Sequence, residues 1–97
     1  MTEYRAGVSS DTECDRVIGE IWAHLREAGL EVGEIEGPSE TWRSARFWIR
    51  GRHRRSWIWQ DQMELVLVVS SWTSIPLPSG SSGELADFVA RRVRRTD

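Results

Sequence analysis

The 97-residue chain holds 13 arginines, no lysine and 15 acids, for a formal net charge of −2. That length suits one core rather than two. Its 39% hydrophobic and 29% charged fractions exclude disorder over most of the chain, and no stretch reaches the ~20 apolar residues of a membrane span.

Residues 1–9 read as an N-terminal tail and 10–95 as a single domain. Ser10 followed by Glu13 has the capping-box spacing that opens a helix. Val17, Ile18, Ile21, Trp22 and Leu25 then share one face, and Gly29 is placed to stop the helix in the left-handed conformation with Leu30 folding back onto Leu25. The spacing predicts a helix over about 11–28. A short strand over 30–36 follows, its alternation slipping at Gly33 as a bulge would make it do. Over 41–50, Ala45, Phe47 and Ile49 fall on a core face, with Trp42, Arg46, Trp48 and Arg50 on the other.

A tight turn at Gly51 and Arg52 leads into a strand over about 53–60, where Trp57 and Trp59 share one face and Ile58 takes the other. Alternation alone leaves open which of these is inward. A nearly unbroken apolar run over 63–72 predicts a central strand. Pro76, Pro78, Gly80 and the serines of 73–82 predict a loop. Ser81 and Glu84 repeat the capping-box spacing ahead of a second helix, about 82–95, with an apolar stripe of Leu85, Phe88, Val89 and Val93. Arg91, Arg92, Arg94 and Arg95 crowd its last turns, where they suit the helix dipole.

The expected fold is therefore α+β and two-layered. An antiparallel meander of three or four strands carries an N-terminal and a C-terminal helix on one face, in the order α-β-β-β-β-α. Residues 1–40 carry ten acids against three arginines, and 41–97 ten arginines against five acids. The halves either compensate each other or face partners of opposite sign; mutual compensation is expected because one small domain brings them within a Debye length.

No metal or cofactor is expected, because Cys14, His24 and His53 are scattered rather than spaced as ligands. Catalytic motifs are missing too: no serine sits in a sharp glycine turn, Glu13 and Asp15 flank Cys14, and no phosphate-binding glycine loop occurs. The chain is not expected to be an enzyme. The N-terminus around Tyr4 has no apolar leader, and one cysteine cannot form an internal disulfide, so a cytoplasmic location is expected.

What remains is the interleaving of tryptophan and arginine. The expected partner-binding residues are Trp42, Arg46, Trp48, Arg50, Arg52, Arg54, Trp57 and Trp59, residue types enriched at binding hot spots. They lie on a sheet face that the two helices leave uncovered, which predicts an apolar patch covered by a second copy, giving a homodimer, or by another protein. A small non-catalytic interaction module is the expected function, as regulator, adaptor, immunity protein or phage-type inhibitor. Two other uses share these residues: stacking of single-stranded nucleic acid on tryptophans with arginines on the phosphates, and an acidic helix bearing Glu13, Asp15, Glu20 and Glu27 that stands in for nucleic acid. The helix, strand and helix order with Gly37-Pro38 also resembles the double-stranded RNA-binding domain. That family's lysine cluster at the second helix is replaced here by Gly83, Glu84 and Asp87.

Overall fold

The structure, a computed structural model, describes residues 3–7, 11–37, 45–51, 53–61, 64–70 and 73–96. Helix α1 spans Asp11–Glu27, and Cys14, Val17, Ile18, Ile21 and Leu25 line its buried face. Its end is set by Gly29 at φ 90°, where Gly29 N–H donates to Arg26 O and Leu30 N–H to Leu25 O, both at 3.1 Å. These two bonds are the pair by which a left-handed glycine satisfies the last carbonyls of a helix. Ser10, the expected cap of α1, lies outside the described residues.

Four strands follow in meander order: β2 (Phe47–Arg50), β3 (Arg55–Asp61), β4 (Glu64–Ser70) and β5 (Thr73–Pro76), each antiparallel to the next. Helix α2 (Ser82–Thr96) closes the fold. Its start is the expected capping box: Ser81 N–H donates to Glu84 Oε1 at 3.2 Å and Glu84 N–H returns to Ser81 Oγ at 3.3 Å. The helices pack on each other and on β3 and β4. Phe47, Ile49, Ile58, Leu65 and Leu67 meet Leu85, Val89 and Val93 of α2 and the apolar face of α1 in one core. The α+β class and the helix placement are as the sequence implies.

The strand boundaries need correction. The 30–36 segment forms no strand; it runs antiparallel beside β2, touching it through isolated bridges at Val32–Ile49 and Glu36–Arg46. Between these bridges three residues, 33–35, face two, 47 and 48. That single extra residue is the slip expected at Gly33, and it breaks the ladder's continuity. The strand expected over 41–50 is described from Phe47, its first residues lying outside the described set. The next strand runs over Arg55–Asp61 rather than 53–60, because Gly51 N–H donates to Arg54 O at 2.8 Å and holds Arg54 ahead of the first ladder pair, Arg50–Arg55. The central strand is Glu64–Ser70, with Met63 and Trp72 outside the described residues.

The expected 73–82 loop contains instead the edge strand β5 and a two-residue strand, β6 (Gly80–Ser81). Proline is tolerated in β5 because an edge strand needs donors on one side only. β6 pairs antiparallel with β1 (Glu3–Tyr4), which joins these two residues of the 1–9 segment to the fold. The reason is Tyr4, fully buried, whose Oη accepts Leu65 N–H at 2.8 Å. Leu77 N–H donates to Leu65 O at 2.9 Å, so the tyrosine takes the one ladder donor beside it that β5 does not reach. Among the described residues no helix is long and apolar enough to cross a membrane.

Candidate functional site

Register decides what the sequence left open. Ser56 and Ile58 are buried while Trp57 and Trp59 are half-exposed, so the two tryptophans point away from the helices. Trp48 sits directly opposite Trp57, and Trp57 and Trp59 opposite Val68 and Val66. The outer face of the sheet thus carries Trp48 and Arg50 on β2, Arg46 just ahead of it, and Arg55, Trp57, Trp59 and Asp61 on β3. No described helix or strand packs over it. Trp42 and Arg52, also expected there, lie outside the described residues.

This face is less bare than composition suggests, because arginines lie on the rings. The Arg55 guanidinium is 4.2 Å from the Trp48 ring centre and Arg50 is 5.9 Å from it, while Arg46 stands 4.8 Å over Trp57. Trp57 and Trp59 have ring centres 6.5 Å apart at 46°. A guanidinium on an indole face is attracted by the ring quadrupole and shields apolar surface from water while staying hydrated at its edge. The three tryptophans are half-covered by their own neighbours as a result. Ile35, at 39%, is the exposed large hydrophobic residue among the described ones.

Two of these arginines are also fixed by acids of the 31–36 segment. Arg46 Nη2 lies 3.2 Å from Glu36 Oε1, and Arg50 Nε lies 3.3 Å from Glu31 Oε2. The acidic and basic halves therefore compensate each other at this edge of the sheet. Arg54 is exposed in the β2–β3 loop.

The acids of α1 do different work. Asp15 Oδ1 accepts Ala45 N–H at 2.8 Å, and Glu20 accepts the hydroxyl of buried Ser82. These two carboxylates tie the helix to the residues that lead into β2 and to the start of α2. Of the four acids expected to form a negative face, Glu27 is the fully exposed one, Glu13, Asp15 and Glu20 being half-buried.

A cleft of about 400 Å³ opens between the end of α1 and the 31–34 segment, lined chiefly by Trp22, Arg26, Leu30, Val32 and Glu34. Its lining offers carboxylates, Glu31 and Glu34, but no thiol, hydroxyl or imidazole. Trp22 Nε1 donates to Gly33 O at 2.7 Å, and Arg26 lies 5.3 Å over the Trp22 ring. Among the described residues no three Cys, His, Asp or Glu side chains gather as metal ligands. Burial pushes the Tyr4 hydroxyl above the ordinary phenol range, helped by Cys14 and Glu64 and opposed by the Leu65 N–H.

No family model, no curated protein and no solved structure matches this chain.

Proposed function

We propose that the chain is a small, non-catalytic protein-interaction module, acting in the cytoplasm as a regulator, adaptor or inhibitor, that docks a protein through the outer face of its sheet. The observation that carries this reading is the arginine-on-tryptophan layer formed by Arg46 on Trp57 and Arg55 on Trp48. Trp and Arg dominate the energetics of protein interfaces, because a ring or a guanidinium offers large contact area with a polar edge. Here those groups are already stacked, so less side-chain freedom remains to be lost on docking. The free, buried Cys14 suits a reducing compartment.

Trp57 is the residue on which to test the reading. Trp48 also packs on the backbone of Gly33, so its removal disturbs the fold as well as the surface. A tagged chain and its Trp57→Ala variant, incubated with nuclease-treated host lysate, should differ in the proteins they retain while their thermal melting stays close. Equal retention by both would count against the face. Binding that nuclease removes, reproduced with a labelled single-stranded oligonucleotide and falling steeply between ~50 and ~200 mM salt, would replace a protein partner by nucleic acid.

A further inference from the structure

We infer that the partner of this face is a second copy of the chain, packed face to face with its strands antiparallel to those of the first; the inference rests on the outer face being a docking surface.

Charge along β3 carries the argument. Arg55 stands at one end, just after Arg54 of the β2–β3 loop and opposite Arg50 on β2, whose guanidinium is itself paired with Glu31. Asp61 stands at the other end, opposite Glu64 on β4. Alternation places Arg55, Trp57, Trp59 and Asp61 on one side of the strand, and Glu64 on that same side of β4. The face is therefore basic at Arg55 beside the β2–β3 loop, aromatic in the middle, where Arg46 lies over Trp57 with its charge paired to Glu36, and acidic at Asp61 and Glu64. Six residue steps from Arg55 to Asp61 span roughly 20 Å.

A dyad lying in the interface plane, perpendicular to the strands, lays the basic end of each copy over the acidic end of the other. It also brings both Trp57 and Trp59 pairs to the axis. A dyad parallel to the strands instead stacks arginine on arginine, so charge selects the antiparallel arrangement. Self-complementarity of this kind is what an isologous dimer requires of a single patch. A face only four short strands wide buries area at the low end for stable association, so monomer and dimer should exchange at micromolar concentrations.

Sedimentation velocity between about 1 and about 500 μM tests this. The wild-type chain should dimerise in that range. Two variants reverse one end each, Asp61→Arg with Glu64→Arg, and Arg54→Glu with Arg55→Glu. Each alone should weaken association about tenfold or more, and the two mixed should recover it, because a β3 basic at both ends then meets a β3 acidic at both ends. Circular dichroism reports whether each variant folds, and Trp57→Ala supplies the same comparison if one reversal does not. A wild-type chain that stays monomeric throughout overturns the second copy. If that monomer still retains a host protein through Trp57, the docking face itself stands. A dimer that neither the reversals nor Trp57→Ala weaken overturns both.

Discussion

The indole of Trp48 lies directly against the α-carbon of Gly33, where a Cβ would fall within 3.0 Å of three of its ring atoms. Gly33 is held from other sides too: its N–H donates to Trp48 O at 2.9 Å and its carbonyl accepts Trp22 Nε1 at 2.7 Å. Two tryptophans thus share one glycine, and this links the end of α1 to the outer face of β2. Glycine is required here by close approach rather than by a left-handed backbone.

Gly33→Ala should therefore destabilise the fold by about 1 to 3 kcal/mol, the usual cost of forcing extra volume into a packed contact. Urea denaturation with tryptophan fluorescence reads the change. The cost should shrink in a Trp48→Ala background, where the colliding ring is gone. An equal cost in both backgrounds would place the strain elsewhere.

Tyr4→Phe should keep the ring in the core and remove the oxygen that accepts Leu65 N–H and also meets the Gly7 backbone. A buried donor left unpaired costs about 1 to 3 kcal/mol. The expected result is a lower urea midpoint with an unchanged slope. No change in midpoint would show that the Leu65 donor finds another acceptor, and that the Tyr4 hydroxyl is dispensable for the ladder.

Alkaline stability gives a separate test of the same side chain. Burial raises its phenol value in the folded chain above the ordinary value of about 10. The neutral form is thus the one the fold prefers, and its contribution is whole below about pH 10. Stability should fall as pH climbs from there through the folded value, because the unfolded chain ionises first. The sequence has no lysine and one tyrosine, so the Cys14 thiol is the other side chain whose ordinary value lies near that range, and Tyr4→Phe, which keeps it, isolates the phenol. Melting temperatures measured upward from about pH 9 should drop more steeply for the wild type than for Tyr4→Phe; parallel curves would deny the shift.

Where the sequence spoke clearly, local chemistry was decisive. Gly29 and the Ser81–Glu84 box marked helix ends because a helix terminus is satisfied by residues within reach of it. The inward Phe47 and Ile49 were legible because β2 alternates between apolar and polar. Alternation could not orient β3, since Ile58 and the tryptophans are all apolar; only its pairing with β2, which sets Trp57 beside outward Trp48, resolves that. β5 was hidden by Ser74 and Pro76, which suit an edge strand as well as a loop. Tyr4 was missed because its burial depends on Leu65, 61 residues away in sequence. The same holds for Gly33 between Trp22 and Trp48, and for the arginines that half-cover the rings. Each is a contact between elements, which no local pattern encodes.

Arg46 separates what holds the fold from what presents the surface. Its pair with Glu36 is partly solvated, with side chains 25% and 41% exposed. A double-mutant cycle between the two should give a coupling below about 1 kcal/mol that shrinks further as salt rises. The stack on Trp57 depends on the ring quadrupole and on planar contact, so a cycle between Arg46 and Trp57 should give a similar coupling, about 0.5 to 1 kcal/mol, that survives salt better. Arg46→Lys keeps the charge for Glu36 but loses the flat guanidinium. Its melting temperature should stay close to that of the wild type, whereas association through the outer face should weaken, because Trp57 then presents a less ordered surface. If Arg46→Lys instead leaves association unchanged in sedimentation while Trp57→Ala abolishes it, the ring alone is the anchor and the guanidinium only shields it.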